Sequence, residues 1–390
     1  MLRVLTLSTL FPDATRPNFG VFVELQTRGL AARDDLEVRV VAPVGLPPWP
    51  LSRHPRYRAL AALPRREPWH GLDVYRPRFL NLPGTGGRLH PAMLEHALHP
   101  LLKRIRRDYP FDLIAAEFFF PDGPAAVALG RRLGVPVSIK ARGGDIYHWA
   151  RSPAVQRQIL TAAARADGML AVSRALCRDM GALGMDEDRI VLSLTGVDHS
   201  RFSPRPRNAA KAALGVTGPL VASVGALIAI KGHAIVIEAV RRLPGVSLWI
   251  LGQGPDRAAL EAQIAAAGVG DRIRLLGGVP HDQVPDILAA ADVMALASER
   301  EGIANAWIEA LASGTPVVAT DVGGAREVLT APDAGRIADP TPEAFAAAIS
   351  ALIAHPPAPD AVRRFAAGFT WPNNAQVLAD FYRDMVQRHR

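Results

Sequence analysis

SEREGIANAWIEALASGTPVVATDVGGARE, residues 298–327, compresses a loop, a helix, a buried strand and a glycine turn into one short unit. The apolar run ADVMALA at 291–297 reads as a strand that feeds the loop at Glu301 and Gly302. A helix follows from Asn305 to about Ser313, Gly314 stops it, and Pro316 opens the next strand, VVAT. A loop that leaves a strand's C-terminal end and enters a helix offers free backbone N–H groups and the positive end of the helix dipole, a setting for anions and above all for phosphate. Gly302, without a side chain, lets a ligand approach the main chain. Glu309, two turns into the helix, is placed to accept both hydrogens of a vicinal diol such as a ribose. Glu301 sits nearer the helix mouth, where a second polyol fits. Two carboxylates flanking a phosphate cradle suit a sugar nucleotide; the plainer alternative is a pair of solvated helix-end charges.

The neighbouring residues decide between these. Ser298, Glu301, Gly302, Asn305, Glu309, Ala310, Ala312, Gly314, Thr315, Pro316, Gly323, Gly324 and Glu327 together form a pattern that resembles the signature of the family 4 retaining glycosyltransferases of GT-B fold (glycosyl transferases group 1). The resemblance implies an α/β chain of two Rossmann-like domains with parallel sheets and an interdomain cleft. It also implies a terminal helix that crosses back to the N-terminal domain.

Bulk properties agree with a two-domain enzyme. A chain of 390 residues exceeds one ordinary core, and 49% hydrophobic residues supply two. The single cysteine, Cys177, excludes an internal disulfide framework and fits a reducing cytoplasm. The start, MLRVLTLSTLFP, reads as a first strand rather than a signal peptide, and no apolar run reaches the roughly 18 residues that span a bilayer. The formal charge of +8 is uneven: between Arg53 and Arg107, eleven arginines and Lys103 face only Glu67, Asp73 and Glu95. Such a face would attract an anionic membrane, a polyprenyl pyrophosphate or an acidic glycan. It is equally what an arginine-rich composition produces by habit. Nucleic acid is not expected, since interleaved aromatics are few and no binding module is recognisable.

Along the chain, strand and helix signals alternate in βαβα order, which argues for parallel sheets covered on both faces. Residues 45–88, rich in Pro and Arg, read as a long insertion with little periodicity. The Pro-rich run beginning at Ser203 marks the joint, giving an acceptor domain over 1–203, a nucleotide-sugar domain over 204–370 and a helix over 371–390. That helix carries Val377, Leu378, Phe381, Tyr382 and Met385 on one side. Gly252-Gln253-Gly254 has Arg257 where a dinucleotide fingerprint needs its third glycine, so a nicotinamide cofactor is not expected.

The resemblance also assigns roles residue by residue. Gly20, before the first helix, would bring a backbone N–H to the donor pyrophosphate; as a sequence feature alone it is an ordinary turn. Arg142, Gly143, Gly144 and Asp145 match a tetrad that contacts the transferred sugar, with Arg142 suited to a phosphate and Asp145 otherwise a helix cap. Asp145, Lys231 and Glu301 are the catalytic candidates; Gly20, Arg142, Lys231, Gly302, Ile303, Asn305 and Glu309 are the donor-binding ones. Thr195 replaces the family's Asn ahead of Gly196, Val197, Asp198 and Phe202. Asp186-Glu187-Asp188 reads as solvent-facing charge and no metal is expected. One departure matters more: Ala226 stands where the family has an arginine beside Lys231-Gly232. Losing one of two cations on the leaving diphosphate costs roughly 1.5 to 3 kcal/mol unless Arg142, Arg300, Arg326 or His233 replaces it. The expectation is a cytoplasmic, metal-independent transferase, working at the inner face of the membrane if the basic face docks there. It would move a sugar with retention from a nucleoside-diphosphate sugar to a glycan or lipid-linked acceptor in cell-surface polysaccharide or glycolipid synthesis. The rivals are a sugar-nucleotide epimerase or hydrolase on the same fold and a degenerate binding protein.

Overall fold

The computed structural model describes residues 1–389, in two units: 1–196 with 371–389, and 197–370. The first is built on strands β1 (Leu2–Leu7), β2 (Leu36–Val41), β3 (Val44–Leu46), β4 (Arg66–Trp69), β5 (Leu72–Tyr75), β6 (Arg78–Leu80), β7 (Leu113–Ala116), β8 (Val137–Ala141), β9 (Gly168–Ala171) and β10 (Ile190–Leu192). Near-continuous apolar runs such as LIAA and GMLA are buried at every position, as central parallel strands require. The main sheet has the order β10-β9-β8-β7-β1-β2-β5-β4, parallel except for the β4/β5 hairpin. After β1 the chain moves to one side and after β7 to the other, so a crevice opens at the C-terminal ends of these neighbours.

Residues 45–88 are not the irregular insertion their composition suggests. β4 and β5 extend the main sheet, and β3 pairs with β6 as a separate two-stranded sheet. The signal in β5 is one alternation, Leu72 and Val74 turned inward, too short to stand out among prolines and arginines. The same fold consumes some of the basic run. Arg76 is buried, donating to Glu67 and to the Pro12 carbonyl, and Arg66 grips Asp73 through two bonds of 2.8 Å.

The terminal helix Trp371–His389 packs on this unit. Leu378, Phe381, Tyr382 and Met385 meet Val4, Leu113 and Leu170, while Val377, expected on the same side, is left at the exposed edge of the stripe. Gly168 is dictated by this contact, since a Cβ there would lie 2.3 Å from the Phe381 ring. The division falls at 196/197, ahead of the expected 203/204. The Val197 N–H bonds the Phe369 carbonyl at 3.1 Å and Val197 bridges Thr370, which ties 197–203 to the second unit.

The second unit holds β11 (Leu220–Val224), β12 (Ser247–Leu251), β13 (Ile273–Gly277), β14 (Val293–Leu296), β15 (Val317–Ala319) and β16 (Gly335–Ile337), all parallel in the order β13-β12-β11-β14-β15-β16. Val221, Leu248, Ile250, Val293 and Val318 centre its core. Here the strand order reverses between β11 and β14, and the loops leaving these two strands bring the candidate residues together. No helix among the described residues is long and apolar enough to cross a membrane.

Candidate active site

Lys231 ends a 3-10 turn, Ala229–Lys231, in the loop after β11, and Glu301 lies in the loop after β14. Seventy positions apart in sequence, they form an ion pair, with Lys231 Nζ 2.5 Å from Glu301 Oε1. The Ser298 hydroxyl donates to the same carboxylate oxygen at 2.7 Å. Both side chains are largely but not wholly covered, 21% and 10% exposed, so the pair borders solvent without being dissolved in it. Main-chain contact makes this possible. Gly232, at φ +65°, sits where a Cβ would lie 2.0 Å from the Ala297 carbonyl oxygen, and the Glu299 N–H bonds the Ile230 carbonyl at 2.8 Å. A third loop closes on the second: Gly323, at φ +49°, would place a Cβ 1.9 Å from the Glu301 carbonyl oxygen, and the Gly324 N–H bonds the Gly302 carbonyl at 2.9 Å. Only glycine allows that approach.

Gly302, Ile303 and Ala304 then lead into the helix Asn305–Ala312, whose N-terminus no side chain caps. Its first N–H groups and dipole thus open beside the Lys231 ammonium, a combination suited to a diphosphate. Glu309 lies on the same helix and accepts from His281 Nε2 at 3.0 Å, both groups being mostly buried. His281 in turn stands 5.6 Å from the Phe202 ring. Nothing in the sequence singles out His281, since its partner is 28 positions away.

The missing arginine is not replaced by His233. That ring is buried, 3.0 Å from the Ser223 hydroxyl and 3.2 Å from the Ala226 carbonyl, and burial lowers its pKa to about 4, so it is neutral. Arg326 is engaged with Asp321 through two bonds of 2.8 Å. Ala226 itself is exposed, and Arg300 is exposed at the start of the glutamate loop.

In the first unit, Gly20 at φ +73° starts the helix Val21–Ala31 after β1, and a Cβ there would lie 2.5 Å from the Leu10 carbonyl oxygen. The helix has no side-chain cap, as a phosphate-facing end would. Arg142 and Asp145 are engaged within the protein. Arg142 donates to the Glu117 carboxylate at 2.6 Å, the Glu117 carbonyl at 2.8 Å and Gln26 Oε1 at 3.2 Å, over the Phe22 ring, with its side chain 7% exposed. Asp145 is fully buried and accepts from the N–H groups of Phe119 at 2.7 Å, Gly143 at 2.8 Å and Arg142 at 3.0 Å. Both hold the loop after β8 in shape, and Asp145 does so with both carboxylate oxygens. The residues that lock them, Glu117, Gln26 and Lys140, carry only a weak sequence signal. Lys140 interrupts the apolar strand VSIKA, and its buried ammonium donates to Gln26 Oε1 at 2.7 Å and Ser193 at 2.9 Å, with burial lowering its pKa to about 7.

Asp186, Glu187 and Asp188 are exposed, Asp186 capping a short turn through the Asp188 N–H. Among the described residues no group of three or more His, Cys, Asp or Glu is placed to hold a metal ion.

Comparison with known proteins matches both units. The family model Glycosyltransferase Family 4 covers residues 19–201 and Glycosyl transferases group 1 covers residues 204–368. The glycosyltransferase TuaC of Bacillus subtilis (strain 168), named for teichuronic acid biosynthesis, is 29% identical over 332 residues, 83% of this chain and 82% of its own. Sucrose-phosphate synthase from Thermosynechococcus elongatus superposes with a TM-score of 0.81 at 18% identity over all of both chains. Anabaena HepE, solved in complex with UDP, superposes with a TM-score of 0.75 at 20% identity over 98% of this chain and 100% of its own. These last two likenesses concern the fold. Matched over nearly its whole length, the chain belongs to the family 4 glycosyltransferases, the glycosyl transferases group 1, and has their GT-B fold.

Proposed function

We propose that the second unit binds a nucleoside-diphosphate sugar and that the enzyme transfers the sugar with retention and without a metal. The observation that carries this reading is the meeting of Lys231 and Glu301 at the strand-order reversal, beside the uncapped N-terminus of Asn305–Ala312. HepE structures contain UDP or UDP-glucose, which supports a diphosphate in the equivalent crevice here. The ribose diol donates to Glu309 in place of His281, and Gly302, Ile303 and Asn305 lie at the helix mouth where the phosphates dock.

The chemistry follows from charge. The bond from the anomeric carbon to the diphosphate oxygen breaks, and its electron pair leaves with the diphosphate, stabilised by Lys231 and the helix N-terminus. The acceptor hydroxyl attacks the oxocarbenium-like centre from the face the diphosphate vacates and passes its proton to a diphosphate oxygen. Glu301 keeps the Lys231 ammonium aimed. The acceptor is a glycan or lipid-linked intermediate of polysaccharide or glycolipid synthesis, on the cytoplasmic side of the membrane. Supporting an anionic membrane or acceptor, Trp49 and Leu51 are 71% and 52% exposed beside Arg53, Arg56 and Arg58, and the helix Pro55–Ala62 buries no side chain.

Ala226 favours one rival, a chain that binds donor and turns it over poorly or not at all. The test is calorimetry with UDP, GDP, ADP and their sugar conjugates, with EDTA and then with Mg²⁺, followed by product analysis with acceptors. Binding in EDTA that is lost in Lys231→Ala supports the donor site. A folded protein silent to all of them refutes it, and sugar release or epimerisation without acceptor selects the hydrolase or epimerase.

A further inference from the structure

Among the described residues, the Glu309 carboxylate has one hydrogen-bond partner, His281, whose Nε2 lies 3.0 Å from Oε1. At 14% exposure the carboxylate is largely cut off from water, and a charge so placed depends on the donors around it. An ionised carboxylate accepts at about four lone-pair sites, so this one stands well below its capacity. His281 comes from a different loop of the same unit, the one after β13. Gly277, at φ +76°, turns the chain off that strand, the Gln283 N–H bonds the Pro280 carbonyl at 2.9 Å, and the helix Val284–Ala290 follows. The imidazole leans on the buried Phe202 ring, with centroids 5.6 Å apart, and bonds no other polar group among the described residues. One hydrogen bond and one apolar contact therefore fix a side chain that is 18% exposed.

A vicinal diol engages a carboxylate with one hydroxyl on each oxygen, and Oε1 already has its donor. Diol and imidazole are thus alternatives at one oxygen. The Phe202 contact involves neither ring nitrogen, so leaving Oε1 costs His281 a single bond. A residue that merely supports a site weakens binding when it is removed. A resident competitor does the opposite, because its own bond must be broken each time the ligand enters.

We propose that His281 is a displaceable latch on the ribose site. It holds the Glu309 carboxylate until a nucleotide arrives, yields Oε1 to the ribose, and on re-forming its bond lowers the affinity of the nucleoside diphosphate left after transfer. This inference rests on the assignment of Glu309 to the ribose. Acting through Glu309, His281 is a positioning residue that sets nucleotide affinity and takes no part in the chemical step.

The test is calorimetric titration of the full chain with UDP, GDP and ADP, comparing the parent with His281→Ala, His281→Gln, Glu309→Ala and His281→Ala/Glu309→Ala. His281→Ala should bind the preferred nucleotide about tenfold more tightly than the parent, the effect of removing one competing hydrogen bond to a charged group. His281→Gln, whose amide N–H can take the place of Nε2, should keep the parent affinity. In the Glu309→Ala background the His281→Ala change should have no effect, since the oxygen it competes for is gone. A circular-dichroism melt checks that each variant folds. Unchanged or weaker binding by folded His281→Ala, an equal gain in His281→Gln, or the same gain with and without Glu309 overturns the latch while leaving the donor site standing. Glu309→Ala binding as tightly as the parent overturns the ribose assignment and the latch with it. Silence of both the parent and His281→Ala towards all three nucleotides removes the donor site itself, and the latch falls too.

Discussion

Replacing Glu309 by Ala removes the carboxylate assigned to the ribose, and the structure sets the size of the effect. In the ligand-free site Glu309 already accepts from His281 at 3.0 Å, so ribose must displace one charged hydrogen bond to gain two. Hydrogen bonds to a charged group are worth about 1.5–3 kcal/mol each, and the exchange leaves a net gain of one, about 1.5–3 kcal/mol. Loss of Glu309 should therefore weaken the nucleoside diphosphate by about 10- to 150-fold, at 1.4 kcal/mol per tenfold. A ligand-side cycle isolates the contact. Calorimetry with the 2′-deoxy diphosphate should show a penalty of about tenfold in the parent chain and almost none in Glu309→Ala, a coupling of at least about 1 kcal/mol. An equal 2′-deoxy penalty in both proteins would refute the assignment, because the hydroxyl would then be read elsewhere.

Other outcomes follow from the same geometry. Lys231→Ala leaves Glu301 with only the Ser298 hydroxyl and removes the cation proposed to face the leaving group; turnover measured with the identified donor should fall at least about 10²-fold, and a fall confined to KM would contradict a role in departure. His233 is neutral in the fold at about 4 against an ordinary 6.5, so the unfolded chain binds its proton first. Stability is complete above pH 6.5 and falls as pH drops towards 4, by on the order of 3 kcal/mol. His233→Asn should flatten the melting temperature across that window, and an unchanged slope would count against a buried neutral ring. Gly323→Ala places a methyl 1.9 Å from the Glu301 carbonyl oxygen at φ +49°, so the glycine turn must move; nucleotide binding should be lost while the protein remains folded by circular dichroism. Phe381→Ala, truncating a ring packed over Gly168, should cost about 3–5 kcal/mol in urea unfolding, and a cost below 1 would show the terminal helix to be dispensable.

The sequence by itself determined the architecture and singled out the loop after β14 as the candidate site. Buried parallel strands must be apolar throughout and their helices amphipathic, so the βαβ order survives in one dimension, and the glycines at 232 and 323 mark where backbones approach too closely for a side chain. The same logic placed the helix Asn305–Ala312 and the terminal helix within a residue or two. It failed where periodicity was short, as in β4 and β5, and where charge alone was counted, as for Arg66 and Arg76.

Only the tertiary structure decided which polar groups are free to act. Arg142 and Asp145 match a ligand-binding tetrad in sequence, and the fold adds that Glu117 and Gln26 hold one side of the Arg142 guanidinium while three main-chain N–H groups hold Asp145. His233, one candidate for the missing cation, is neutralised by burial, and His281 becomes Glu309's partner although nothing near it in sequence says so. The ion pair between Lys231 and Glu301 likewise exists because β11 and β14 are neighbours in space. A residue's type and its local pattern are written along the chain, whereas the state of its charge and its hydrogen bonds depends on groups that only folding brings within 3 Å.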